Sequence, residues 1–126
     1  MPPVVFVALG GACGAMARYG TGRLVASLVE HPFPWGTWTV NLLGCFLIGM
    51  TVPLFAQFSG AKRTRFFLVV GFVGSFTTFS TFSLDTVALW DDGHGWLGLL
   101  NTVGSLACGL VLVAAGREVS AWLLGG

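Results

Sequence analysis

The stretch Gly71-Phe72-Val73-Gly74-Ser75-Phe76-Thr77-Thr78-Phe79-Ser80-Thr81-Phe82-Ser83 places six hydroxyl side chains and three phenylalanines in the nine residues from Ser75 to Ser83. It lies inside an apolar segment from Phe66 to Trp90 whose midpoint is residue 78. A segment of that length crosses a bilayer core, which needs about 20 apolar residues, so the hydroxyl run falls at mid-membrane. Thr is a weak helix former and Gly a weaker one, and Ser and Thr side chains compete for local backbone groups. One reading is that the hydroxyls bond back to their own helix. The other is a break in the helix, tolerated at that depth only where the backbone is buried in protein or lines a wet cavity. Six hydroxyls preceded by Gly71 and Gly74 favour the break. Free carbonyls at such a point coordinate cations, and free N–H groups or half-helix N-termini attract anions.

Working outward, three more apolar segments appear. Spans are expected at about 4–29, 35–58, 66–90 and 95–116, in a single transmembrane domain over residues 1–126. Proline, glycine and charge mark the turns: Glu30 to Pro34, Ser59 to Arg65, and Asp91 to His94. Pro53 lies inside the second span and predicts a bend there. Trp35, Trp38, Trp90, Trp96 and Trp122 all fall near span ends, as an interfacial aromatic belt requires. Met1-Pro2-Pro3 carries no basic side chain, unlike a cleaved signal, so the first span reads as retained.

Composition agrees. Only 9% of the 126 residues are charged and 55% are apolar, against about 25% charged in a soluble domain. The formal charge of +1 supplies no basic field for nucleic acid. Cys13, Cys45 and Cys108 are far apart in apolar runs, without metal-site spacing, and read as small packing residues. With four spans, the termini and the middle loop share one side. That side carries Lys62, Arg63, Arg65 and Arg117, while Arg18 and Arg23 lie toward the other. Four against two leans toward cytoplasmic termini, yet the bias is weak enough for insertion both ways round. Gly10 and Gly14, and Ser105 and Gly109, are small residues four apart that permit close helix approach. Four spans form a thin bundle, and small residues on several of them suggest self-association.

Other polar groups inside the spans have two readings each. Asn41 donates to an anion or joins helices. Arg18 faces protein or a vestibule and draws anions inward, or it snorkels to the interface. Phe79 and Phe82, three apart, share a helical face and either pack or turn positive ring edges toward an anion. Asp85 is off-centre and reads as interfacial or capping.

Gly10 through Tyr19 (GGACGAMARY), Gly36-Thr37 through Val40-Asn41 to Gly44, and the Gly71–Ser83 run with Thr77-Thr78-Phe79-Ser80-Thr81-Phe82 together resemble the Fluc family of fluoride channels over essentially the whole chain. The resemblance implies an all-α membrane protein of four transmembrane helices, the third broken near the bilayer centre, assembled as an antiparallel, dual-topology homodimer in the cell membrane. It implies two fluoride pathways and a structural sodium ion (Na+) at the dimer centre, held by the backbone carbonyls of Gly74 and Thr77 from both subunits. By the same similarity Phe79 and Phe82 are rings along the fluoride path and Asn41 is a donor beside it. Ser80 and Thr81 add polar lining, Arg18 matches an arginine near the vestibule, and Ser105 falls at a hydroxyl position. Two departures stand in the fourth span: Asn101 where many members carry tyrosine, and Gly109 at a further hydroxyl position. The expected function is passive, fluoride-selective export that lowers cytoplasmic fluoride, with no enzymatic step. The rival is a small proton-coupled multidrug antiporter, which needs a mid-membrane carboxylate; the first span has none.

Overall fold

The computed structural model describes residues 1–125, and every regular element among them is helical. Helix α1 spans Pro3–Leu28 and α2 spans Trp35–Gln57. Helix α3 (62–76) begins with a turn at Lys62–Arg65, widens into π-helical turns over Phe66–Val73, and closes with Gly74–Phe76. Helix α4 spans Phe79–Asp91 and α5 spans Gly95–Leu123. Four stretches are long and apolar enough to cross a membrane: Pro3–Leu28, Trp35–Gln57, Lys62–Asp91 and Gly95–Leu123.

Local chemistry explains most of these limits. Pro3 opens α1, where its fixed φ suits a first helical position and its missing N–H costs nothing. Arg18 and Arg23 do not interrupt α1, because arginine is a good helix former. Helix α2 likewise runs through Pro53 to Gln57. The turn after α4 uses Gly93 at φ 82°, a left-handed conformation that glycine adopts without steric cost. Helix α5 outruns the expected span end at residue 116 and continues to Leu123, since neither Arg117 nor Glu118 disfavours helix. Arg117 and Glu118 form an exposed ion pair of 3.6 Å there.

The bundle is built from two intimate helix pairs, α1 with α3 and α2 with α5, and α4 leans on α5. Backbone contact at glycine brings the pairs together. A Cβ at Gly10 or Gly14 would overlap the carbonyls of Phe67 and Phe72 on α3, and one at Gly49 or Gly116 would overlap carbonyls on the facing helix of the α2–α5 pair. Gly109 is buried against Cys45, where a Cβ would lie 3.2 Å from Sγ. Gly10, Gly14 and Gly109 thus pack within one chain, and the self-association inferred from their spacing loses its support there. Phe33 seals the connection between α1 and α2, with its ring 4.7 Å from Trp35 and 5.3 Å from Trp38. At the opposite end the Arg63 guanidinium sits over the Phe6 ring at 5.8 Å, tying α3 to α1.

Little of the apolar surface is buried in the single chain. Phe33, Val40, Val73, Phe76 and Leu89 form its small core, while Phe79, Trp96 and Trp122 stand out. Such a surface needs lipid or another chain against it.

Candidate functional site

The site forms where α3 and α4 fail to join. Thr77 (φ −85°, ψ 156°) and Thr78 (φ −149°, ψ 118°) have extended backbone between the helices ending at Phe76 and starting at Phe79. Extended residues cannot continue the i to i−4 ladder, so their polar groups need other partners. Asn41 on α2 supplies them. Thr78 N–H donates to Asn41 Oδ1 at 2.8 Å, and Asn41 Nδ2 donates to the Thr78 carbonyl at 3.1 Å. The two bonds also fix the orientation of the amide, since the N–H requires an oxygen opposite it. One Asn41 N–H stays uncommitted, because a carboxamide carries two.

Thr78 also caps α4. Its Oγ1 accepts from Thr81 N–H at 3.2 Å and is within 3.2 Å of Thr81 Oγ1 and 3.4 Å of Ser80 Oγ. Thr77 Oγ1 donates back to the Val73 carbonyl at 3.2 Å. Its methyl group lies where any side chain on Gly44 would be. The residues that would donate to the Gly74 and Thr77 carbonyls in an unbroken helix are Thr78 and Thr81. Both N–H groups are engaged elsewhere. Gly74 is exposed and Thr77 half-buried. These are hard, neutral oxygen donors, and they fit an alkali cation. Among the described residues no cluster of His, Cys, Asp or Glu suits a metal ion.

Two cavities flank the Asn41–Thr78 link, and Thr78 lines both. The larger, about 630 Å³, is an open groove that brings together Asn41, Phe79, Phe82 and Ser105. The Phe79 and Phe82 rings are 5.9 Å apart and tilted by 41°. The smaller, about 240 Å³, has Arg18, Tyr19, Thr37 and Thr81 in its wall. Arg18 forms no ion pair, since the single pair among the described residues is that of Arg117 and Glu118. No carboxylate lines either cavity. Ser80 lines neither; it is exposed beside Thr78.

Two contributors escape sequence reasoning. In the sequence Thr78 is one hydroxyl among six, and only its partner Asn41, 37 residues away, distinguishes it. Asn101 is 1% exposed and donates through Nδ2 to Thr86 Oγ1 at 2.9 Å. Thr86 Oγ1 in turn donates to the Phe82 carbonyl at 2.8 Å, and Ser105 Oγ donates to Asn101 Oδ1 at 3.4 Å. This chain of bonds links α5 to the backbone of an aromatic residue in the groove. An amide in an otherwise apolar span is the signal for such a link.

What the arrangement offers chemically is a groove with an amide, hydroxyls and aromatic rings and no fixed charge, beside two backbone carbonyls whose helical donors are engaged elsewhere. Residues 5–117 match the family model described as CrcB-like protein, Camphor Resistance (CrcB). Similar proteins include the "Fluoride-specific ion channel FluC" of Salinibacter ruber, 45% identical over 126 residues that cover 100% of this chain and 95% of that protein. The protein of the same name from Thermus thermophilus is 44% identical over 125 residues, covering 99% of this chain and all of that one. A third, from Rhizobium leguminosarum bv. trifolii, is 42% identical over 120 residues, 94% of this chain and 96% of its own.

Proposed function

This chain belongs to the CrcB-like family, and from that membership we propose that it is a fluoride-specific ion channel that exports fluoride passively from the cytoplasm. The observation that carries the reading is the composition of the larger groove: the Asn41 amide, the Ser105 hydroxyl and the Phe79 and Phe82 rings line it, with no charged side chain. Fluoride is small and tightly hydrated, so a path must replace water with donors. The uncommitted Asn41 N–H is such a donor, the Ser105 hydroxyl becomes one by turning its proton from Asn101 Oδ1 to the ion, and ring edges attract an anion weakly. Conduction requires sites weak enough to release the ion, and a cationic side chain at that point would hold it. Arg18, in the wall of the smaller cavity, is placed to draw anions toward the path. Thr81, in the wall of the smaller cavity, supplies further polar lining, while Ser80 lines neither cavity of the single chain and stands exposed beside Thr78.

The working unit in this proposal is an antiparallel homodimer in the cell membrane, the third transmembrane segment broken near the bilayer centre. Three features support it. Phe79 is 80% exposed in the single chain, so a path beside it lacks a second wall. The Gly74 and Thr77 carbonyls give two oxygens per chain, whereas hard cations are held by larger oxygen sets; two copies double the set. The basic residues divide four against two between the two sides, a bias weak enough to permit insertion in both orientations. Bound sodium there would place positive charge near the path and offset the cost of an anion in a low-dielectric interior.

A proton-coupled antiporter finds no support, because neither cavity offers an Asp or Glu as a proton relay. The test is fluoride efflux from liposomes holding the purified protein, followed with a fluoride electrode. Passive efflux without proton coupling and with little chloride flux is expected. Absence of fluoride flux, or proton-driven drug exchange, overturns the assignment.

A further inference from the structure

Two side chains keep the Gly74 and Thr77 carbonyls free of their helical donors, a task distinct from lining a path for an anion. Thr78 N–H, the natural donor to Gly74, is held instead by Asn41 Oδ1 at 2.8 Å. Thr81 N–H, the natural donor to Thr77, is held by Thr78 Oγ1 at 3.2 Å. The second Asn41 bond, from Nδ2 to the Thr78 carbonyl at 3.1 Å, keeps Thr78 extended and so prevents the ladder from closing again. Gly44 leaves room for the Thr77 methyl beneath this segment. Asn41 thus reaches from the wall of the anion groove to the backbone that presents the carbonyls.

We infer that Asn41 and Thr78 are positioning residues for bound sodium: Asn41 keeps the Gly74 carbonyl available, and the Thr78 hydroxyl keeps the Thr77 carbonyl available. The inference rests on the reading that these carbonyls hold sodium between two copies of the chain. It explains why a threonine hydroxyl, and not merely a β-branched shape, stands at residue 78. An acceptor there is required to divert Thr81 N–H.

The full-length protein in detergent tests this by titration with sodium chloride at constant ionic strength, N-methylglucamine replacing sodium, with the midpoint of thermal unfolding as readout. Thr78→Val keeps the shape and removes the acceptor. It should raise the half-saturating sodium concentration by roughly tenfold, the scale of a hydrogen bond recaptured by the carbonyl in each copy. Thr78→Ser keeps the acceptor and should stay close to the parent value. Asn41→Leu should match Thr78→Val, and if that variant does not fold, the Val and Ser pair decides alone. Sodium dependence left unchanged in Thr78→Val overturns this inference while sparing the sodium reading. A parent protein whose stability ignores sodium overturns both.

Discussion

The carboxamide of Asn41 and the backbone of Thr78 exchange two hydrogen bonds, 2.8 Å from the Thr78 N–H and 3.1 Å to its carbonyl, across 37 residues of chain. One side chain on α2 thereby satisfies both polar groups of a residue with extended backbone inside an apolar segment. In lipid each such group left bare costs several kcal/mol, so the gap between α3 and α4 persists only with this partner in place.

Truncation at Asn41 exposes that dependence. Asn41→Ala strands the Thr78 N–H and carbonyl, and should lower stability by about 1–3 kcal/mol per group that finds no water. It also removes the free amide N–H from the groove. Unfolding in mixed micelles should show the loss of stability, and liposome efflux should show a fall in fluoride flux of at least roughly tenfold. Parent-like stability would mean that water serves Thr78 as well as the amide does.

Phe79 and Phe82 invite a different outcome. Phe79 is 80% exposed, so Phe79→Ile removes a ring without opening a cavity in the single chain. Phe82 is half-buried, and its ring is 5.9 Å from that of Phe79. If positive ring edges carry the anion, either substitution by Ile should suppress fluoride flux while cross-linking still traps the dimer. Unchanged flux would remove the rings from the path.

How far the sequence alone reaches is visible in these residues. Hydropathy over about 20 residues identifies the four spans because lipid imposes length and polarity on every spanning segment. The density of hydroxyls at 75–83 marks the place where the ladder lapses, because those side chains compete for local backbone groups. Hydroxyl density does not single out Thr78, whose distinction lies in a bond to Asn41 from another helix. Spacing alone does not tell whether Gly10 and Gly14 face a second chain or α3, since close approach demands small residues in both cases. Helix α5 continues past the expected span end at residue 116 because neither Arg117 nor Glu118 breaks a helix. Asn101 stood out only as a departure from a family pattern. Its bond to Thr86 depends on how α4 leans on α5, while its bond to Ser105 lies within α5.

Asn101→Leu is the test of that link. The side chain is 1% exposed and serves both neighbours. Interhelical polar contacts in membranes contribute about 0.6 kcal/mol on average and up to about 1.7, so the loss should be modest, about 1 kcal/mol. Ser105 then loses its acceptor and Thr86 its donor, while Thr86 keeps its bond to the Phe82 carbonyl. Folded protein with reduced fluoride flux is the expected phenotype. Loss of folding without any partial variant would assign Asn101 to packing alone.

Glycine positions separate close packing from mere flexibility. A Cβ on Gly10 would overlap the Phe67 carbonyl, so Gly10→Ala should cost about 1–3 kcal/mol by overpacking. Gly20, also in α1, has nothing within 4 Å of such a Cβ, and Gly20→Ala should gain about 1 kcal/mol from helix propensity. Unfolding midpoints of the two variants in the same detergent should therefore move in opposite directions. Equal shifts would mean that α1 and α3 do not pack through Gly10.

Orientation is the property on which the proposed antiparallel dimer stands. Lys62, Arg63 and Arg65 follow the α2–α3 connection, and Arg117 lies toward the end of α5, on the same side; Arg18 and Arg23 oppose them within α1. Loop arginines and lysines decide insertion, and a small difference decides it weakly. In a protein with Cys13, Cys45 and Cys108 replaced by alanine, Ser59→Cys places one thiol in the exposed α2–α3 connection. An impermeant maleimide on intact cells should label roughly half of the chains, and permeabilised cells all of them, if orientation is mixed. Adding Gly60→Lys and Ala61→Lys strengthens the bias on that side and should drive the label toward one orientation. Fluoride flux should fall with it, because chains pointing the same way cannot pair head to tail. Labelling from a single side in the unbiased protein, with flux intact, would exclude the antiparallel homodimer.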